Sequence, residues 1–249
     1  MNVIHIVNMV HVSSAFVPHA RRRDDKTTAV LDVAMDLVAR EGLEGVTLQR
    51  VAQRLGIVTT AIYRYFPSKD ALLAALQRRA VADVHAHLVE EIAVAAKGVS
   101  RIAPEVGALA KVVHAARTYL ALSQTRPETF RLLAVLIGDP RILIADDDAR
   151  ETVPLVTALL SDMGRLLSEA ESVGALEPGD ALARTLCLWA TLHGLSQLEK
   201  LRRVAPHAPA ATVLGDASIT SVLRGFGATP AHLSRARRAL DRLPGEPTP

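Results

Sequence analysis

Apolar side chains recur at intervals of three and four residues along most of the chain, which is the period of amphipathic helices. Strict alternation of apolar and polar residues, the pattern of half-buried strands, is nearly absent. Ala and Leu, which both favour helices, dominate the apolar positions. The pattern therefore predicts an all-α protein.

Four helices are predicted in the first hundred residues. The first runs from about Lys26 to Arg40 and is ended by Gly42, with its start capped by one of the polar residues Asp24, Asp25 and Thr27. Thr47 caps a second, short helix that Gly56 ends. A third short helix occupies 59–65, and Ser68 then caps a long helix that reaches Gly98.

Proline and glycine punctuate the remaining helices. They are predicted at about 104–122, 127–137, a short piece after Pro140, then 152–173, 179–204, 216–224 and 230–240. The helix at 179–204 is apolar nearly all round, so it has to be covered on several sides. A second subunit is the predicted cover, with two helices of each chain forming a four-helix homodimer interface.

The segment 48–65 meets the geometric demands of a helix-turn-helix. Ala52 is small where the two helices cross, and Gly56 tolerates the positive φ that the turn needs. Apolar residues have the spacing to anchor both helices, namely Val51, Leu55, Ile57, Ala61 and Ile62. This motif predicts double-stranded DNA as a partner.

Three of the eight aromatic residues of the chain fall within 63–66. The third helix should present Thr59, Thr60, Tyr63 and Arg64 outward, where hydroxyls and a guanidinium reach base edges and phosphates. Phe66 is expected in the core, whereas Tyr65 is either packed or at the DNA. Lys69, in the first turn of the long helix, would bind a phosphate together with free backbone amides. Thr47 is an N-cap, a phosphate contact, or both.

The stretch GVTLQRVAQRLGIVTTAIYRYFPSKDALLAAL resembles the DNA-binding domain of the TetR family of bacterial transcriptional regulators. Thr47, Gly56, Tyr63 and Lys69 stand at the family's motif positions, and Tyr65 stands where the family often has His. Further back, LWATLHGLSQLEK is similar to members with a Trp-x-x-x-His-Gly pattern. The resemblance implies a homodimeric repressor that a small apolar or amphipathic effector releases from a near-palindromic operator, and the single cysteine of the chain favours a reducing, cytoplasmic setting.

The resemblance also implies a ligand cavity between the long helix and the helices behind it. Trp189 and His193 are four residues apart, so they share one helix face and either line such a cavity or pack in the core. Tyr119 and Phe130 are further lining candidates.

The predicted organisation has four parts. Residues 1–23 form a mobile leader, 24–72 the helix-turn-helix domain, 73–228 the ligand-binding and dimerisation domain, and 229–249 a C-terminal helix and tail. Arg21, Arg22 and Arg23 are either a solvated charge run or a basic arm for the DNA minor groove.

Charge, hydropathy and cysteine content bear on the other classes of protein that the chain could belong to. The net charge of +3 does not by itself indicate a nucleic-acid partner, and no apolar run is long enough to span a membrane. The single cysteine, Cys187, excludes an internal disulfide and is expected to be buried and inert.

No catalytic motif, cofactor or metal site is predicted. His85 and His87 are two residues apart and point in different directions on a helix. Asp146, Asp147 and Asp148 either bind a cation or form a solvated loop that caps the next helix.

Two rival functions stay open at this point. One is an architectural DNA-binding protein that has no effector. The other is a helical enzyme or ligand carrier that keeps the helix-turn-helix only as a scaffold.

Overall fold

The computed structural model describes residues 17–138, 146–198 and 211–242, and these residues form ten helices and no strand. The all-α prediction is confirmed. The chain divides into two compact units, Met1–Leu72 and Leu73–Pro249. Helix α4 (Lys69–Gly98) begins in the first unit and continues into the second.

The first unit contains α1 (Val17–Glu41), α2 (Leu48–Leu55), α3 (Thr59–Tyr63) and the start of α4. Its core is built from apolar residues of α1, α2 and α3 together with Phe66, which is 5% exposed as predicted. The members with 0% exposure are Ala34, Leu37, Val38, Val51 and Ile62, together with Val46 of the loop before α2 and Leu72 at the start of α4. Ile57 is 40% exposed, so its predicted role as an anchor is wrong.

Helix α1 starts nine residues before the predicted Lys26. Residues 17–23, which were assigned to the leader, are therefore helical, and Asp24, Asp25 and Thr27 lie inside the helix instead of capping it. Pro18 is compatible with this start because a proline in the first turn of a helix sacrifices no intrahelical hydrogen bond. Residues 1–16 lie outside the described part of the chain.

The turn between α2 and α3 depends on Gly56, whose φ of 66° is in the left-handed region. The amide of Ile57 donates to the carbonyl of Ala52 at 3.0 Å, which closes the end of α2. Helix α3 stops at Tyr63, two residues early, and the amides of Tyr65 and Phe66 then both donate to the carbonyl of Ile62. This turn places Phe66 in the core.

The second unit is organised around α5 (Pro104–Thr125), of whose 22 residues 14 are buried. Five helices pack against it: α6 (Pro127–Gly138), α7 (Asp146–Ser172), α8 (Ala181–Leu198), α9 (Ala211–Gly225) and α10 (Pro230–Leu240). Helix α8 also packs against α7 and α9. The second unit is thus a bundle with α5 at its centre.

In the second unit, two helices also begin earlier than predicted. Helix α7 begins at Asp146 and not at Thr152, because carboxylates are favourable in the first turn of a helix and so do not mark a loop. Helix α9 begins at Ala211, five residues before Asp216. The predicted piece after Pro140 and the predicted continuation of α8 beyond residue 198 fall outside the described residues, as do the side chains of Asp146, Asp147 and Asp148.

Helix α8 leaves one apolar stripe uncovered in the single chain. Its members recur every fourth residue and are all exposed: Leu182, Leu186, Ala190, Gly194 and Leu198. Cys187, next to this stripe, is exposed, so the prediction of a buried thiol is wrong. Helices α5, α7 and α9 cover only the other faces of α8.

An ion-pair network joins α5, α9 and α10. Arg117 of α5 donates from Nε and Nη2 to the two carboxylate oxygens of Asp216 of α9, at 2.9 and 2.8 Å. Arg237 of α10 donates to the Asp216 carbonyl and the Thr220 hydroxyl. Hydrogen bonds from Arg117 hold the pKa of Asp216 below 3.8, although partial burial opposes them.

We expect Asp216→Asn to lower the free energy of unfolding by about 1–3 kcal/mol at pH 7, because Arg117 loses the carboxylate that accepts two of its hydrogen bonds and keeps a longer pair, of 3.8 Å, with Asp241. The lowered pKa means that the stabilisation is present above pH 3.8 and is lost as the pH falls through the folded-state pKa. The difference in the free energy of unfolding between wild type and variant should therefore become smaller below pH 3.8. Urea unfolding between pH 7 and pH 3 measures it.

The matched control is Asp83→Asn, because Asp83 is exposed and forms only a 3.8 Å pair with Arg79 one turn away. Its expected effect is below about 0.5 kcal/mol. A difference for Asp216→Asn that stayed constant down to pH 3 would contradict the assigned ion pair.

Candidate nucleic-acid interface and effector pocket

Helix α2 begins with the cap that the sequence predicts. Thr47 has extended backbone angles, φ −135° and ψ 149°, and its hydroxyl accepts a hydrogen bond from the amide of Arg50 at 3.2 Å. The residue is half-buried. The N-cap role of Thr47 is therefore confirmed, and its half-buried side chain remains beside the open end of the helix.

Helix α3 presents most of the predicted residues to solvent. Thr60, Tyr63 and Arg64 are exposed, and the Tyr63 side chain retains 52% of its accessible surface. Thr59 is half-buried. Tyr65 is also half-buried and lies under the Arg64 guanidinium, whose central carbon is 5.8 Å from the ring centroid. Hydroxyls, a ring and a cation thus share one surface.

Helix α4 begins beside that surface in the sequence. The Ser68 hydroxyl accepts from the amide of Ala71 at 3.0 Å, which makes Ser68 the predicted cap. Lys69 is the first residue of the helix and is exposed.

The arginines of α2 have protein partners. Arg54 donates to Asp36 of α1 at 2.7 Å, and Arg50 pairs with Glu41. The Asp36 carboxylate also accepts from Arg40 at 2.7 Å, and this bond, opposed by burial and supported by Arg54, lowers its pKa. These pairs link α1 to α2.

Arg64 and Lys69 differ, since neither forms an ion pair with any residue in the ranges that the structure describes. They are the cations of this surface that are available to a phosphate. The ion pairs between α1 and α2 were not predicted from the sequence, although Arg50 and Arg54 stand four residues apart on α2 and so share one face.

The four predicted effector residues come together in the second unit. The Tyr119 ring meets Phe130 edge-on with centroids 5.4 Å apart. His193 stacks between Phe130, at 5.6 Å, and Trp189, at 5.1 Å. The indole of Trp189 donates to the Tyr119 hydroxyl at 3.2 Å, and that oxygen is 3.3 Å from Nδ1 of His193.

A cavity adjoins this cluster, and its walls come from α4, α5, α7 and α8. Two of the cluster residues, Tyr119 and Trp189, line it, while Phe130 and His193 pack behind them. The other lining residues are Leu88, Ala115, Leu159, Leu160, Met163, Thr185, Leu188 and Leu192. About 40 Å³ of the cavity is open to water-sized molecules, which is room for a few atoms in this conformation.

Two family models match the chain, one on each side of the long helix. Residues 30–76 match the model of bacterial regulatory proteins of the tetR family. Residues 112–222 match the tetracyclin repressor-like C-terminal domain. The chain belongs to the TetR family. It is a DNA-binding transcriptional regulator, and TetR regulators are not enzymes.

Relatives agree with this assignment. The chain is 27% identical to the transcriptional regulator RutR of Escherichia coli K12 over 168 residues, which is 67% of this chain and 71% of RutR. It is 40% identical over 60 residues to the class A tetracycline repressor of transposon 1721 from Escherichia coli. That match spans 24% of this chain and only 28% of the repressor.

A solved structure shares the fold. The regulator FadR of Bacillus subtilis, crystallised with stearoyl-CoA, superposes with a TM-score of 0.57 at 16% identity, covering 80% of this chain and 98% of FadR. TetR regulators bind DNA operators and small effectors, usually as dimers. The candidate DNA-facing residues 47–69 lie in the part that matches the first TetR model, and Tyr119, Phe130, Trp189 and His193 lie in the part that matches the second.

The polar atoms at the cavity wall are already engaged. The Thr185 hydroxyl donates to the carbonyl of Ala181 at 2.7 Å, and the Trp189 and Tyr119 groups bond to each other. Burial raises the pKa of Tyr119, so its hydroxyl stays protonated at neutral pH. The lining residues include no charged side chain.

No metal centre is found among the side chains that the structure describes, since none of them form a group of three or more His, Cys, Asp or Glu. His85 instead bonds to Asp162 at 2.7 Å. Within the described residues no helix combines the length and the hydropathy needed to cross a membrane.

We expect Tyr119→Phe to lower the free energy of unfolding by about 1–3 kcal/mol, because the Trp189 N–H loses its acceptor while half-buried. Trp189 is the only tryptophan in the chain, so its fluorescence reports on this bond directly. A shift of the emission maximum together with a lower urea midpoint is the expected result. Tyr63→Phe, on the exposed face of α3, is the control and should change neither. Unchanged emission in Tyr119→Phe would contradict the bond.

Proposed function

We propose that this TetR regulator is a homodimeric repressor that leaves a near-palindromic operator when a small, uncharged, apolar or amphipathic effector enters the second unit. The observation that carries the proposal is the apolar cavity beside the Tyr119–Trp189 cluster, in a chain whose other unit binds DNA. An architectural DNA-binding protein without an effector is not expected to contain such a cavity.

Helix α3 is the proposed recognition helix. The N-terminal residues of such helices contact base edges in the major groove. Thr60 and Arg64 are assigned to reading sequence, with Thr59 beside them, because hydroxyls and guanidinium groups match the donors and acceptors of bases. Lys69, Tyr63 and Thr47 are assigned to phosphate contacts. The ring of Tyr65 packs against the Arg64 guanidinium and so helps to position it.

The absence of charge among the lining residues supports an uncharged effector. A buried charge without a partner costs several kcal/mol, and nothing in the lining could pair with one. The FadR neighbour was solved with stearoyl-CoA, whose CoA part is charged but whose long acyl chain is apolar, so this fold can accommodate an apolar chain. The small open volume implies that the leucines and Met163 move apart when an effector enters.

The stripe on α8 supports a homodimer. Five small or apolar residues at four-residue spacing form an exposed stripe on α8 that would pack against the same stripe of a second copy, and Leu182 is 62% exposed at one end of it. A second copy of this helix related by two-fold symmetry presents the same ridge. Two recognition helices would then enter half-sites whose centres are about 34–36 Å apart, or somewhat more.

Helix α4 supports coupling between the two activities, since it contains both Lys69 and the cavity residue Leu88. An effector that binds better to one arrangement of α4 changes operator affinity by the same free energy, typically about 1–3 kcal/mol.

The proposal is tested by selecting bound sequences from a random duplex DNA pool with the purified full-length protein. Recovery of one palindromic motif, bound with salt-dependent affinity, is the expected result. Uncharged aromatic and aliphatic compounds are then screened for quenching of Trp189 and for release of that duplex. Recovery of no motif would refute a specific regulator, and a motif that no compound releases would refute effector control.

We expect Lys69→Ala to weaken binding to all DNA sequences alike and to flatten the dependence of log affinity on log salt by about one unit per subunit. The reason is that one phosphate contact and its released counterion are lost. Fluorescence anisotropy at several salt concentrations measures both effects. Lys97→Ala, an exposed lysine at the far end of α4, is the control and should leave the slope unchanged. A loss confined to one base position would show that Lys69 reads sequence.

A further inference from the structure

The large apolar side chains that are exposed in the first unit lie close together in the sequence. Among the residues that the structure describes there, they are Ile57 at 40%, Val58 at 70% and Tyr63 at 52% exposure. Tyr63 has a hydroxyl, whereas Ile57 and Val58 offer only hydrocarbon. We call Ile57 and Val58 the apolar ridge.

Val58 occupies a position at which a polar residue is normally favoured. It is the N-cap of α3, with φ −69° and ψ 142°, and its side chain makes no capping hydrogen bond. Ser, Thr, Asp and Asn are preferred there, and Val is among the least favourable residues. The starts of α2 and α4 follow the rule, with Thr47 and Ser68 as caps. Local helix stability therefore does not explain Val58.

The backbone holds this side chain in a defined place. The carbonyl of Val58 accepts from the amide of Ala61 at 2.9 Å, and Ile57 is bonded to Ala52 across the turn. Because the backbones of Ile57 and Val58 are both hydrogen-bonded, the apolar ridge is held at the first turn of α3. Little backbone entropy is therefore lost when it binds.

The major groove contains one apolar feature that varies with sequence, which is the C5-methyl group of thymine. Apolar side chains at the start of a recognition helix can contact it, because these residues lie nearest the base edges. A partner protein would need a larger apolar patch, and the neighbouring exposed residues Thr60, Arg64 and Lys69 are polar or cationic. Duplex DNA matches both the ridge and its cationic surroundings.

We propose that Val58, assisted by Ile57, is a specificity-determining residue that reads thymine methyl groups in each operator half-site. The inference rests on the proposed sequence-specific binding and adds the chemical group that is recognised.

The test uses the full-length protein and the duplex recovered by selection. Each thymine is replaced in turn by deoxyuridine, which removes only the C5-methyl group, and the dissociation constant is measured by anisotropy. The wild-type protein should lose about fourfold in affinity at one or two positions of each half-site, which corresponds to one buried methyl group. The same positions should be insensitive to the replacement in Val58→Ala.

Val58→Ser separates recognition from folding. A serine at this N-cap can accept a backbone hydrogen bond, so the variant should be at least as heat-stable as the wild type. It should still lose the methyl sensitivity. Val94→Ala removes a valine that is 47% exposed in the second unit and serves as the matched control, with methyl sensitivity unchanged.

Three results would overturn the inference: an operator without thymine in the contacted positions, wild-type affinity that ignores every deoxyuridine replacement, or equal sensitivity in wild type and Val58→Ala. In each case sequence-specific binding itself still stands. Failure to recover any motif would instead refute the proposed function, and the inference with it.

Discussion

Burial of α5 on nearly every side is the constraint on which the second unit depends. A helix with 14 buried residues among 22 needs neighbours all around it, and α6 to α10 supply them. Its few polar groups are then fixed by partners from those neighbours. Arg117 pairs with Asp216 of α9, Lys111 with Glu169 of α7, and the buried His114 lies 3.1 Å from Glu91 of α4. Each pair therefore joins a different neighbouring helix to the central one.

The same burial creates the proposed effector site. Tyr119 is only 5% exposed, so its hydroxyl needs partners inside the protein, and Trp189 and His193 of α8 provide them. Their bonds satisfy the polar atoms and leave a wall that is hydrocarbon on its inner side. The cavity is therefore suited to ligands that bind through shape and apolar contact, and a charged group would be penalised there.

In the first unit, pairing with carboxylates likewise determines which cations remain available. The carboxylates of α1 pair with the arginines of α2, so the two cations Arg50 and Arg54 are already engaged and less available to a phosphate. Arg64 and Lys69, which have no such partner within the described ranges, remain for DNA. A net charge as small as +3 is thus compatible with a DNA-binding surface, because affinity depends on local unpaired cations and not on the total.

The sequence alone was sufficient for features that depend on neighbours in the chain. The helical period, the caps Thr47 and Ser68, the positive φ of Gly56 and the buried Phe66 all follow from local rules of backbone geometry and patterning. The motif around Tyr63 identified the family for the same reason, since its short-range spacing is what the turn requires.

Only the tertiary structure decided which faces are covered. Ile57 and Cys187 are exposed, although both were predicted to be buried because they are apolar. Asp36 pairs with Arg54, which is 18 residues away in the sequence. The same is true of the contact between Tyr119 and Trp189, which are 70 residues apart. Periodicity states that a helix has an apolar face, but the packing of distant helices determines what that face touches, and so which residues are left for DNA, for an effector or for a second subunit.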